Sequence, residues 1–301
     1  MFELDGFVRE AGVFYAYGFD ASVSSPSGTY SVVYERLGTK GLVLKRGKIL
    51  REINRSYYHA SVYEYPVTLF SLPDGRECIA HCPDEYCKIE VEELETGKRL
   101  TQRDNEPRDY FHSRLQASCD GRWLLSAGWV WQPVNVARVF DLSAALGAPR
   151  KLDDPEPFEI ADRWGVEVGA ACFVGAETLA IASGERFDEP DKEEESRSPL
   201  QELSLGVFDL GAGSYTLLHE LDEVVGNMMP FGDHVVGLYE HPKLIDLRSG
   251  GIVHRWEELA SGKQQSSIIH HLDPAPPMAC DTRNRRFAIA GADGITVVQL
   301  G

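Results

Sequence analysis

Ten consecutive residues, Cys78-Ile-Ala-His81-Cys82-Pro-Asp-Glu-Tyr-Cys87, hold the densest set of side chains able to do chemistry. Thiolate and imidazole are the donors tetrahedral zinc prefers, so Cys82, Cys87 and His81, with Cys78 as a fourth ligand, are the candidate metal set. Strand geometry opposes it. On an extended chain Cys78, Ala80 and Cys82 share one face while His81 points to the other, and no second cysteine knuckle occurs elsewhere. Buried thiols packed between structural units are therefore the expectation, with no metal and no other cofactor.

Catalytic constellations are missing at the level of local motifs. The chain has no Gly-x-Ser-x-Gly elbow, no Gly-rich phosphate loop and no His-Glu-x-x-His. The pairs Glu92-Glu93 and Asp153-Asp154 read as solvated charges at strand ends or in loops. Aromatic side chains with polar tips are more suggestive, because such residues dominate protein-binding hot spots. They gather as Tyr57-Tyr58-His59, Tyr110-Phe111-His112, Trp129-Val130-Trp131 and Trp164.

These residues need a scaffold, and its period is legible. A turn followed by a short apolar run recurs with Gly28, Gly75, Gly121, Gly175, Gly232 and Asn284 at equivalent positions, spaced 47, 46, 54, 57 and 52 residues apart. Gly or Asn there can take the positive φ that a tight hairpin demands. A later run repeats an apolar-apolar-Asp-Leu form at Val139 to Leu142, Val207 to Leu210 and Leu244 to Leu247, with degenerate copies at Val91 to Leu94 and Val297 to Leu300. Four short strands per roughly fifty residues predict an all-β chain, a single β-propeller domain over residues 1–301. Six blades fit the spacing, and seven would fit if one weak unit escapes the count. The last unit lacks a fourth strand, so an N-terminal strand from Phe2 to Tyr17 is expected to complete the C-terminal blade and remove two open edges.

One interval is too long. Gly175 precedes Asp209 by 34 residues, against 20 from Gly121 to Asp141 and 14 from Gly232 to Asp246. The excess is the charged run 184–201, expected to be a mobile loop insertion in the fourth blade. Its acids, Glu189, Glu193 and Glu194 among them, are candidates for contacting a basic partner.

Composition narrows the partner. The chain of 301 residues carries 47 acids against 30 bases, a net charge of −17. That field repels phosphate backbones, which argues against nucleic acid, and suits a basic protein surface. MFELDGFVRE has neither the basic start nor the apolar run of a signal peptide, so no membrane and a cytoplasmic location are expected. Six cysteines in so long a chain fit reduced thiols.

At the third and fifth units the residues resemble the WD40 repeat family. His112 precedes Asp141 by 29 residues, His219 precedes Asp246 by 27, His270 precedes Gln299 by 29 and His59 precedes Glu93 by 34. No His follows a Gly, and Trp is replaced before the acid, so the likeness is to a divergent member. It implies a non-catalytic protein-protein interaction scaffold, monomeric by itself, and assigns the repeated His and Asp to architecture. Two other readings stand beside it: an immunity protein neutralising a toxin, and an enzyme or small-ligand binder using the central channel.

Overall fold

The computed structural model of the chain describes residues 16–131, 133–158, 160–161, 166–184 and 199–301. Short alternating runs broken by turns give six antiparallel sheets, each made of strands consecutive in the chain. Sheet 1 comprises β1 (Ala21–Ser24), β2 (Tyr30–Tyr34), β3 (Lys40–Lys45) and β4 (Lys48–Asn54). Sheet 2 holds β5 (Val67–Ser71), β6 (Glu77–His81) and β7 (Glu90–Glu93), and sheet 3 holds β8 (Leu115–Ala117), β9 (Trp123–Val130) and β10 (Val134–Asp141). Sheet 4 is β11 (Val168–Phe173), β12 (Thr178–Ser183), β13 (Ser204–Asp209) and β14 (Ser214–Glu220). Sheet 5 follows with β15 (Met228–Phe231), β16 (His234–Gly237), β17 (Lys243–Asp246) and β18 (Ile252–Arg255), and sheet 6 with β19 (Met278–Asp281), β20 (Arg286–Gly291) and β21 (Gly294–Gln299).

Each sheet is apolar on both faces where it has a neighbour on both sides. Cys78, Ala80 and Val91 of sheet 2 pack on Leu124 and Phe140 of sheet 3, while Ile79, on the opposite face, joins Val32 and Val43 of sheet 1. Equivalent cores join sheets 3 and 4, 4 and 5, and 5 and 6. The expected alternation therefore works in two directions at once, burying successive residues against different sheets.

The repeated turn residues have a physical role. Gly28, Gly75, Gly121 and Gly232 all have positive φ, whereas near Asn284 that conformation falls on Arg285, and Gly175 does not adopt it. At Gly121 the requirement is double, since φ is +71 and a Cβ would stand 2.2 Å from the Ser71 carbonyl oxygen. The repeated aspartates close the turn after the third strand: Asp141 accepts the Ala144 N–H at 2.8 Å, Asp209 that of Ala212 at 2.7 Å and Asp246 that of Ser249 at 2.7 Å. In sheet 3 this cap starts a six-residue helix, α1 (Leu142–Gly147), where a fourth strand was expected.

Sheets 2, 3 and 6 have three strands among the described residues. Arg99 makes one isolated bridge to Glu92 beside sheet 2. The N-terminal strand proposed to complete sheet 6 and the body of the 184–201 insertion lie outside the described residues. No described helix is long and apolar enough to cross a membrane.

Candidate functional site

Three long connections, with the shorter β6–β7 and β9–β10 links that carry Tyr86 and Trp131, bring the aromatic residues together at one end of sheets 2 and 3. The first is the segment between β4 and β5, held by a buried arginine. Arg55 donates from Nε to the Gly38 carbonyl at 2.7 Å and from Nη2 to Ala60 and Tyr63 carbonyls at 2.6 and 3.0 Å, with its guanidinium over the Tyr63 ring. Among the described residues Arg55 makes no ion pair, and burial lowers its pKa. The turn carrying Tyr57, Tyr58 and His59 is thereby fixed from below.

The second connection leads into β8. Phe111 and Trp129 exchange backbone hydrogen bonds at 2.9 and 3.1 Å, adding a rung to sheet 3, and their rings stack at 3.8 Å. Tyr86, from the β6–β7 connection, lies on Phe111 at 4.4 Å, and Tyr58 lies on Tyr86 at 4.8 Å. His59 meets Trp131 edge-on at 5.2 Å, and Trp131 meets Phe111 at 5.5 Å. Centroid distances of this size suit aromatic pairing, each contact contributing roughly 0.5–1.5 kcal/mol beyond burial.

The third connection is the long segment between β18 and β19, which crosses this end of the molecule. Gly262 bridges to Glu240 beside sheet 5, and Gln264 donates to Glu64 at 3.0 Å. The Asn135 side-chain oxygen, at the start of β10, accepts from Ser266 Oγ, Ser267 N and Ser267 Oγ within 3.1 Å. Ile268 pairs with Tyr63 and forms the floor under Phe111 and Trp129.

Burial separates the expected contact residues into two groups. Tyr57, Tyr58 and Trp131 are 82%, 46% and 49% exposed. Tyr110, Phe111 and Trp129 are buried, which corrects their assignment as contact residues: Phe111 and Trp129 support the exposed Tyr58 and Trp131 rings, and Tyr110 packs against His112 and Arg138. Tyr110 is held from both sides, its hydroxyl donating to the Ser126 carbonyl at 2.7 Å and accepting the Gly128 N–H at 3.0 Å. Trp164 and the acids Glu189, Glu193 and Glu194 lie outside the described residues. Sequence reasoning missed Tyr86, which sits in the middle of the cysteine-rich stretch where attention went to the thiols.

His112 is architectural. Its Nδ1 lies 3.1 Å from Ser126 Oγ within sheet 3, and burial pushes its pKa down to about 3, helped by Arg138 and opposed by the Cys87 backbone. His59, by contrast, belongs to the aromatic cluster rather than to a bond within its own sheet.

The cysteine cluster separates as alternation requires. Cys78 and Cys82 enter the core between sheets 2 and 3, and His81 turns the other way to lie 3.4 Å from Glu92. Burial raises the Cys78 thiol to about 12 and Cys87 to about 11, and pushes Cys82 up as well. Among the described residues no three His, Cys, Asp or Glu side chains converge as metal ligands.

Two carboxylates expected to be solvated are not. Glu92 is buried, and although burial opposes its ionisation, His81, Arg51 and Arg99 outweigh it and hold the carboxyl below the usual range. Asp153 takes a forked contact from Arg103, at 2.8 Å from Nε and 2.6 Å from Nη2, and Arg103 also faces the buried Glu90 at 3.5 Å. Doublets of acids carry no sign of their partners in the sequence, because Arg103 is 50 residues from Asp153.

Exposed acids occupy the connections that supply Tyr86 and Phe111. Asp84 and Glu85 between β6 and β7, and Asp104, Glu106 and Asp109 between β7 and β8, are exposed, and Asp109 accepts the Tyr86 hydroxyl at 2.8 Å. Comparison with known proteins adds no relative to this description, since no protein-family model and no curated protein matches the chain.

Proposed function

We propose that the chain is a non-catalytic protein-binding module, a six-bladed propeller of divergent WD40-like type, that engages a basic partner through the Tyr57, Tyr58 and Trp131 platform. The observation that carries this reading is the platform's construction: the exposed rings of Tyr58 and Trp131 rest on the buried Phe111 and Trp129, Tyr57 stands exposed in the same turn, and exposed acids occupy the neighbouring connections. Rigid aromatic side chains lose little entropy on binding and bury much area, which is why they anchor interfaces. For the propeller, support comes from five face-to-face cores in chain order and from the adjacency of successive first strands, β1 with β5, β5 with β8 and β11 with β15.

The test is a triple substitution, Tyr57→Ala, Tyr58→Ala and Trp131→Ala, compared with the native chain in affinity capture from the source cells. Loss of a specific basic protein, with affinity reduced roughly 10- to 100-fold and melting unchanged, is the expected result. Capture of the same protein at equal affinity would move the interface elsewhere. Binding that weakens steeply with salt would agree with the acidic rim.

A further inference from the structure

A cleft of about 700 Å³ runs along the free edge of β10, outside sheet 3 and next to Trp131. Its chemistry differs from that of the platform. Val134, Val136, Phe158 and Ile160 make its wall apolar, and two cations, Arg108 and Arg138, share the lining with two acids, Asp109 and Glu156.

Arg138 is the unusual group. Its guanidinium lies over the Tyr110 ring at 4.2 Å, and it has no carboxylate, carbonyl or hydroxyl acceptor among the described residues. Burial lowers its pKa, opposed by the Tyr110 phenol and reinforced by a second cation, Arg108. Asp109 and Glu156 line the same cleft, yet neither pairs with Arg138, so this half-buried guanidinium keeps its fork free for an anion from outside.

The backbone offers a second kind of partner in the same place. The Asn135 N–H is taken by Glu167 Oε2 at 3.1 Å, and the Val139 carbonyl by the Glu156 N–H at 2.8 Å. Both point away from β9, so Ala137, lying between them in the strand's period of two, turns its own N–H and C=O into the cleft. No described group meets them. Unpaired edge groups of this kind accept an added strand.

We propose that the cleft receives the C-terminal end of another protein as a short strand added to β10 at Ala137, with the terminal carboxylate on Arg138 and apolar side chains against Val134, Val136 and Phe158. A chain terminus supplies all three features from one object: an extended backbone, apolar side chains and a single anion attached directly to the strand. An internal acidic side chain would spend its backbone pairing elsewhere. The choice of a peptide over a small molecule rests on the protein-binding reading above; the cleft itself does not.

The experiment uses the full chain and random heptapeptides displayed with free carboxyl termini. Enrichment of sequences with apolar final residues is expected. A selected peptide should bind about tenfold more weakly when its terminus is amidated, and about tenfold more weakly to Arg138→Gln, with Arg138→Lys intermediate because it keeps the charge and loses the fork. Absence of enrichment, equal binding of acid and amide, or indifference to both Arg138 substitutions would overturn the proposal. The Tyr57→Ala, Tyr58→Ala pair separates the two ideas: it should abolish capture of the whole partner and leave the heptapeptide bound. If the heptapeptide fails while the pair still abolishes capture, only the cleft proposal falls.

Discussion

Sheets 2 and 3 meet across thirteen buried apolar residues, from Phe70 to Leu152, with a buried ionic group, Glu90, Arg103 and Asp153, at one end and the aromatic stack close by. Sheets 6 and 1 share no buried apolar cluster among the described residues. They are joined by Arg36 donating to the Ala275 carbonyl at 3.0 Å, and a cleft of about 450 Å³ lies between them. On β21, Ile295 and Val297 are 74% and 59% exposed, although the same alternation on β6 buries every residue but one. A repeat therefore sets which face a residue takes, and the neighbouring sheet sets whether that face is dry. The exposed aromatics lie beside the junction with thirteen buried apolar residues, which gives them a rigid base.

The largest effect should come from breaking the ionic group at the tight junction. Arg103→Leu would leave Asp153 and Glu90 buried without their cation, and should cost roughly 3–5 kcal/mol in chemical denaturation. Pairing it with Asp153→Leu should recover part of that loss, since two apolar groups can replace a buried pair at little cost. A single-variant cost under about 1 kcal/mol would mean that water reaches the group and that the junction is looser than described.

A second test uses acid. His112 is held neutral in the folded chain, with its pKa pushed down to about 3, whereas an unfolded histidine titrates near 6.5. The unfolded state thus binds the proton more readily, so the contribution is complete above about pH 6.5 and is lost as pH falls towards 3. By pH 4 the loss amounts to roughly 3 kcal/mol, most of it in a range where few carboxylates are protonating. In His112→Gln the slope of stability against pH between about 5 and 6.5 should flatten; an unchanged slope would show that His112 is solvated.

Much of this scaffold could be read from one sequence. The turn at Gly121, the strand from Trp123 and the aspartate at 141 all fall where the period placed them, because hairpin chemistry and two-residue alternation are local. The platform was legible only in part. Tyr57, Tyr58 and Trp131 are exposed as expected, yet Tyr110, Phe111 and Trp129 have the same composition and lie inside. For Phe111 and Trp129 the difference is the crossing segment that brings Ile268 under the stack, more than a hundred residues downstream, and for Tyr110 it is the hydroxyl's bonds to the Ser126 and Val136 carbonyls. The unpaired Arg138 is equally silent in sequence, because a missing acid leaves no motif.

The smallest expected effect isolates the neighbour from the repeat. Val91 on β7 and Val297 on β21 occupy matching degenerate copies of the third-strand run, and threonine nearly preserves their shape. Val91 is fully buried between sheets 2 and 3, so Val91→Thr places a hydroxyl in an apolar core and should cost about 1–3 kcal/mol. Val297→Thr should change stability by no more than about 0.5 kcal/mol, the range of an exposed substitution. If burial by the adjacent sheet is what distinguishes the two junctions, the costs will differ by at least twofold. Equal costs near or above 1 kcal/mol would show that β21 is covered in solution, by another segment or another copy, and the contrast between the two junctions would then concern what covers each sheet rather than how tightly the sheets meet.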